Sequence, residues 1–297
     1  MNILYCGDIN TRKGIALSVI SLTRHVAEPL NVYLMTLDVV LPEEIETQQT
    51  FVEKAFDRNG GTRHISEIKP IPLDFASYLD TYVKKYYPES SVTLIDATAL
   101  FESMPPTANM GTRFTPACML RLYADIVTPA LPDRLLYLDY DVICRRDCSH
   151  YYHQNISRYE YVATRDYYGK ALYAPLKHDY INSGVLLMNM AKIRETGLFR
   201  KCRELCRDKR LFLPDQHALN MAYTKRKIVG ARYNAQRHLR SNTVFHHFST
   251  TLHFFPYPRT QSVKPWDKEQ MHNVLKLHDY DELLAELDIF INDLNLD

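Results

Sequence analysis

Arg134-Leu135-Leu136-Tyr137-Leu138-Asp139-Tyr140-Asp141 is the stretch that decides the fold. Arg134–Leu138 is an apolar run of buried-strand type, and it leads straight into two aspartates one residue apart. Carboxylates are expensive inside a sheet. At the carboxyl end of a parallel strand they face the crevice in which open α/β sheets bind ligands. Two acids at this spacing straddle the strand end, so both reach one cation. A hard divalent ion takes oxygens from one or two carboxylates and from substrate phosphates. D-x-D alone is a common spacing, and exposed turn acids are its bland reading. The apolar run in front gives it weight.

The chain around this stretch alternates strands and helices. Asn2–Cys6 is a short apolar run, broken by Gly7-Asp8-Ile9-Asn10. Lys13–Val26 carries Ile15, Val19, Leu22 and Val26 at helical spacing, and Val32–Leu37 reads as a second buried strand. This strand–turn–helix–strand opening predicts an α/β domain with a parallel sheet. Further helices are predicted over Pro42–Arg58, Leu73–Tyr86 and Ala191–Asp208. Val185–Met190 is another apolar run, with Asn182-Ser183-Gly184 leading into it. Asp281–Asn295 forms an amphipathic terminal helix whose apolar side packs on the core.

Composition narrows the function. The 297 residues are 46% apolar and 24% charged, ordinary for a globular protein with a real core. Thirty-six Lys and Arg against 35 acids leave a net charge of +1, so no basic surface for nucleic acid is expected. Glycine is scarce, at nine residues, and neither G-x-G-x-x-G nor G-x-x-x-x-G-K-[ST] occurs. That weighs against a nicotinamide dinucleotide fold and a P-loop kinase. A nucleotide bound here needs something other than a glycine cradle for its phosphates, and a divalent metal is the usual substitute. No secretory signal or spanning segment is read from the sequence, so a cytoplasmic protein is expected, with peripheral contact at the inner membrane face left open. Cys144/Cys148 and Cys202/Cys206 are C-x3-C pairs, one residue longer than a zinc knuckle, and free thiols are expected.

Six ordered elements resemble the retaining glycosyltransferases of family 8, which include bacterial lipooligosaccharide galactosyl- and glucosyltransferases and are related to glycogenin. They are Tyr5-Cys6-Gly7-Asp8-Ile9-Asn10, Arg121-Leu122-Tyr123 with the strand running to Asp141, Tyr180 through Asn189, Pro214-Asp215-Gln216-His217-Ala218-Leu219-Asn220, His247-Phe248 and Lys264-Pro265-Trp266. The resemblance spans about residues 2 to 266. It implies a GT-A fold, with a mixed, mostly parallel central sheet flanked by helices, over residues 1–266. Residues 267–297 then form a helical tail. It also implies transfer of a hexose, galactose or glucose, from a UDP-sugar to a glycan or lipid-linked glycan acceptor.

Roles follow residue by residue. The resemblance implies that His247 completes a metal site with Asp139 and Asp141. An imidazole beside two carboxylates suits Mn2+ better than Mg2+, which stays the alternative ion. Alternation along an extended segment sends His246 to the opposite side from His247. Lys264 would pair with the donor diphosphate, and Tyr140, Asp166, Asn182 and Gly184 would contact the donor. Asp8 and Asn10 can meet a uracil edge and ribose hydroxyls, or cap the helix that follows. Arg121 can lie near the nucleotide, or form a structural pair with an acid. Gln216 would stabilise charge on the reacting sugar while Asp215 orients donor hydroxyls.

The sequence departs from the family pattern in the long Ser249–Val263 segment before Lys264, and in His217, where the family has an acid. No nucleophile is matched, so front-face attack by the acceptor is favoured over a covalent intermediate. Two other readings remain. Asp139-Tyr140-Asp141-Val142-Ile143 is near the D-x-D-x-[TV] of haloacid-dehalogenase-like phosphatases. A nucleotide-sugar-binding protein with a degenerate site is the other.

Overall fold

The computed structural model describes residues 1–41, 67–110, 115–169, 179–257 and 259–294. The predicted Pro42–Arg58 helix falls outside them. The strands are β1 (Asn2–Cys6), β2 (Asn31–Thr36), β3 (Val39–Val40), β4 (Glu67–Ile68), β5 (Ser91–Asp96), β6 (Arg134–Leu138), β7 (Val142–Cys144), β8 (Tyr161–Arg165), β9 (Ile181–Asn189), β10 (Arg226–Val229), β11 (Phe245–His247), β12 (Thr251–His253) and β13 (Arg259–Gln261).

Seven of these form one sheet in the order β10-β8-β9-β6-β1-β2-β5. β1 pairs in parallel with β2 and β6, β2 with β5, and β8 with β10. β9 runs antiparallel to both of its neighbours, β6 and β8. The result is the mixed, mostly parallel α/β sheet expected from the opening of the chain.

Both faces of the sheet are covered, which is why its strands are apolar almost throughout. Successive side chains alternate between the faces. Ile3, Tyr5, Leu136 and Leu138 join one core with Ile15 and Val19 of the helix Arg12–His25. Phe75 of the helix Leu73–Lys84 belongs to the same core. Leu4, Leu135 and Tyr137 join the other core with Phe199 and Cys202. The terminal helix Asp281–Asp293 adds Leu283, Leu287 and Phe290 to the first core. Its Glu286 accepts hydrogen bonds from Arg24 Nε at 2.7 Å and Tyr86 OH at 2.9 Å.

Two boundaries differ from expectation. Ala191–Asp208 is not one helix but two, Met190–Thr196 and Leu198–Asp208. Gly197 breaks them at φ 66°, a left-handed conformation that closes a helix and that glycine adopts without penalty. Asn182-Ser183-Gly184 lies inside β9 rather than ahead of it, because β6 and β8 flank that end and take up its backbone groups. All six cysteines are free, and Cys202 and Cys206 sit buried one turn apart on their helix. Among the described residues, no helix is long and apolar enough to cross a membrane.

The reversal of β9 builds the site. Its first residues lie at the same edge of the sheet as the last residues of β6 and β8. Leu138 stands opposite Val185, and Asp139 N donates to Gly184 O at 2.8 Å. On the other side Thr164 stands opposite Asn182, and Asp166 N donates to Tyr180 O at 3.0 Å.

Candidate active site

At that edge Asp139 leaves β6, and Asp141 precedes β7. β11 pairs antiparallel with β7, His247 opposite Val142, which carries the imidazole back to the aspartates across a hundred residues of chain. His247 Nε2 lies 3.3 Å from Asp141 Oδ1 and 3.6 Å from Asp139 Oδ2. One ligand atom from each of the three fits within 4.8 Å. His246 turns the other way, its Nδ1 2.8 Å from Tyr280 OH, and burial pushes its pKa down to about 3.

The donor set and its surroundings fit a divalent metal. His247 Nδ1 is 3.1 Å from Asn234 Oδ1. An N–H donated there leaves the Nε2 lone pair facing the two carboxylates, the arrangement that metal-binding imidazoles adopt. Gly184 leaves the space this requires. A Cβ there would lie 2.3 Å from His247 Cε1, 2.6 Å from its Nδ1 and 2.8 Å from Asp139 Oδ2.

A hydrogen-bonded relay continues from the imidazole to the far side of the cavity. Asn234 Nδ2 donates to Asn182 Oδ1 at 2.8 Å, and Asn182 Nδ2 donates to Asp166 Oδ2 at 2.9 Å. Gln216 Nε2 reaches the same Asp166 oxygen at 3.3 Å, while Gln216 Oε1 accepts from Ser183 N at 3.0 Å. Asp215 and Gln216 start the helix Pro214–Ala222, which aims their side chains at the sheet edge.

Charge is tightly organised here. Arg121 is buried, stacked 3.8 Å from the Tyr137 ring centroid. It pairs with Asp139 at 2.8 Å and Asp215 at 3.3 Å, and donates to Ser183 O at 2.6 Å. The ion pair is shared between two site acids. Lys264 Nζ lies 2.7 Å from Asp141 Oδ2, so the long Ser249–Val263 segment does not remove it from the site. Burial alone would raise the Asp141 pKa, but Lys264 and His247 outweigh it and hold the carboxyl well below the usual range. Burial likewise opposes a charged His247, and Asp141 reverses that to a raised pKa. Asp215 is raised by burial, against the pull of Arg121.

A cavity of ≈ 240 Å³ joins these groups, lined by Arg121, Asp139, Tyr140, Asp141, Asp166, Asn182, Asp215, Gln216, His247 and Lys264 among others. A profile for the family described as glycosyl transferase family 8 matches residues 2–270. The chain belongs to glycosyltransferase family 8. It is therefore a glycosyltransferase, not the phosphatase that the D-x-D-x-[TV] likeness suggested, and its fold is GT-A.

Solved structures agree on the fold. The galactosyltransferase LgtC, in complex with donor and acceptor sugar analogs, is 16% identical with a TM-score of 0.66, over 96% of each chain. An active-site mutant of LgtC is 15% identical with a TM-score of 0.65, over 97% of this chain and 95% of that one. GlyE of Streptococcus pneumoniae is 19% identical with a TM-score of 0.56, over 96% of this chain and 63% of that one. No curated protein sequence matches significantly.

Asp8 caps the short helical turn Ile9–Thr11, accepting from Asn10 N at 2.8 Å, and burial raises its pKa. It lies close enough to Tyr140 to raise that phenol, although burial is the larger cause. Asn10 is exposed beside it. His217, in the position of the family acid, is half-buried with Nδ1 2.7 Å from Tyr180 OH, and burial lowers its pKa. Asn234, Gln236, Ser183 and Tyr168 were not anticipated. No local sequence signal marks the first two; the bridge of Ala235 with His246 brings them to the site only in the fold.

Proposed function

We propose that this glycosyltransferase moves galactose or glucose from a UDP-sugar to a glycan acceptor with retention at the anomeric carbon, and that it depends on Mn2+. The observation that carries the reading is the convergence of Asp139, Asp141 and the Nε2 of His247 within 4.8 Å, with Lys264 beside them. The complex of LgtC with donor and acceptor sugar analogs supports the choice of substrates.

Asp139, Asp141 and His247 would hold the ion, with Mg2+ as the alternative. When bound, the ion neutralises the diphosphate and makes it a better leaving group. Lys264, released from Asp141, adds a second positive charge where the leaving group develops its own. Tyr140, with its ring against Trp266, walls the nucleotide side, and Asp8 and Asn10 sit toward the base and ribose. Asp166, Asn182 and the Gly184 backbone meet the sugar hydroxyls. Arg121 acts through Asp139 and Asp215, which it holds in place. Gln216 offers its carbonyl oxygen to positive charge on the sugar.

The group in the family's acid position is an imidazole tied to Tyr180, not a carboxylate nucleophile. The acceptor hydroxyl therefore attacks from the face the diphosphate leaves. Its oxygen bonds to the anomeric carbon as the carbon–oxygen bond to phosphate breaks, and its proton passes to the departing phosphate oxygen. Residues 1–266 form the catalytic unit in this reading, with 267–297 as a helical extension. A lipid-linked acceptor at the inner membrane face and a cytoplasmic location complete it, and the exposed aromatic tip around Phe255 suits such an acceptor.

The test is a donor screen for hydrolysis and transfer with Mn2+, Mg2+ or chelator present. Activity with a UDP-hexose and Mn2+, lost with chelator and giving a product of retained anomeric configuration by proton NMR, is the expected result. An inverted product, or full activity in chelator, would overturn it.

A further inference from the structure

We propose that a cavity walled by arginines beside the donor pocket receives a phosphate or carboxylate group carried by the acceptor glycan. This rests on the function proposed above and adds the charge class of the acceptor.

The cavity measures ≈ 440 Å³ and is lined by Arg165, Arg232, Arg237, Arg240, His238 and Tyr167 among others, with no acidic residue. That size falls within the roughly 300–1,000 Å³ of small-molecule sites. The imbalance is local, because the chain as a whole carries 36 basic and 35 acidic residues. Among the described residues, none of the four arginines has an ion-pair partner. Like charges gathered around one concavity oppose each other, and a bound anion relieves that opposition. Guanidinium forks match phosphate and carboxylate oxygens in pairs.

Arg237 has a built setting. Its Nη2 donates to Thr250 O at 2.6 Å, and its guanidinium lies 4.9 Å from the Tyr168 ring centroid and 5.6 Å from that of Tyr167. Its Nε is buried with no hydrogen-bond partner. Its Nη1 donates to Thr251 Oγ1, so the Arg237 head group is fixed beside the cavity.

Position ties this cavity to the chemistry. Gln236 lines both it and the donor pocket. That shared wall is fixed at both ends: Tyr167 N donates to Gln236 Oε1 at 3.0 Å, and Gln236 Nε2 donates to Arg165 O at 3.2 Å. At the end of β8, Asp166 lines the donor pocket while Arg165 and Tyr167 on either side line the arginine cavity. Tyr167 is 53% exposed, and its ring offers a flat apolar face to a sugar ring. A sugar seated on Tyr167 with its anionic group among the arginines stands next to the donor. A concave site of this size suits one compact anion on a sugar, whereas a nucleic acid or membrane needs an extended basic surface.

The test is calorimetric titration of the full chain, with the donor site saturated by UDP and Mn2+. The probes are mannose 6-phosphate, glucuronic acid, mannose and inorganic phosphate. Both charged sugars are expected to bind roughly tenfold or more tightly than mannose, and mannose 6-phosphate more tightly than inorganic phosphate. In the double variant Arg232→Ala/Arg240→Ala the charged sugars lose roughly tenfold or more, while hydrolysis of the UDP-sugar is unchanged. Equal binding of charged and neutral sugars overturns the proposal, as does undiminished binding by the double variant. Inorganic phosphate binding as tightly as the sugar phosphate would make this a free-anion site instead. Displacement of the sugar phosphate by RNA or anionic vesicles through the same arginines would reassign the surface. If UDP itself fails to bind, the donor reading fails alone. The sugar arms repeated without UDP, in both proteins, then still decide the acceptor proposal.

Discussion

Replacing Gly184 with alanine tests the proposed metal site without altering any of the three side chains assigned to it. The new methyl group would lie 2.3 Å from His247 Cε1 and 2.8 Å from Asp139 Oδ2, far inside van der Waals contact. Neither neighbour can step aside freely. His247 is held by Asn234 and by the β11–β7 ladder, and Asp139 by Arg121 and the Tyr137 hydroxyl at 2.6 Å. Overpacking of this kind costs about 1–3 kcal/mol. At about 2–4 °C per kcal/mol for a protein near this size, melting falls by roughly 2–12 °C. The imidazole is also pushed off its line to the carboxylates, a supporting-shell disturbance that typically lowers metal affinity by roughly ten- to hundredfold. Mn2+ titration by calorimetry and a thermal melt read the two effects. Gly230→Ala is the control, since a methyl group there meets nothing within 4 Å. A Gly184→Ala protein with unchanged melting and unchanged Mn2+ affinity would refute the assigned geometry.

Asn234→Ala removes the acceptor that orients His247. Mn2+ affinity should drop by roughly ten- to hundredfold, read by the same titration, and melting should fall as well because Asn234 is buried and bonded to both His247 and Asn182. Arg203→Ala strips the partner from Asp125, a buried pair 2.5 Å apart, and should cost about 3–5 kcal/mol in urea denaturation while the folded protein keeps its Mn2+ affinity. Glu286 should make docking of the terminal helix pH-dependent. Burial raises its pKa, but hydrogen bonds from Tyr82, Tyr86 and Arg24 more than reverse this, leaving a folded value below the ordinary 4.5. A depressed carboxyl pKa contributes stability that is complete above the unfolded value and lost as pH falls through the folded one. Protection against hydrogen exchange in Asp281–Asp293, measured relative to the intrinsic rate at each pH, should therefore fall below about pH 4.5 in the wild type, and Glu286→Gln should flatten that dependence.

The parts of this protein legible in its sequence are those in which cause and consequence are neighbours in the chain. Arg134–Leu138 and Asp139-Tyr140-Asp141 announce a strand and the chemistry at its end within eight residues. The Ile15, Val19, Leu22 spacing announces the helix that covers the sheet. His247 and Lys264 carry no such local signal and were placed by resemblance to a family. Asn182-Ser183-Gly184 read as a lead-in because polar residues and glycine are poor strand formers, yet burial between β6 and β8 overrode that preference. Asn234 and Gln236 stayed invisible because single amides in irregular chain look like solvated loop, and only the fold brings them to His247 and Tyr167. The arginine cavity was hidden for the same reason, its members scattered from position 165 to 240.

The excursion between His247 and Lys264 has a consequence for engineering. One end is pinned by the β11–β7 pairing, the other by Lys264 on Asp141 and Trp266 against Tyr140. β12 and β13 leave and return as a hairpin, with Phe255 87% exposed at the turn. Residues 254–257 thus behave as an exchangeable cassette. Grafting a different tip onto this base should leave the aspartates and the imidazole where they are.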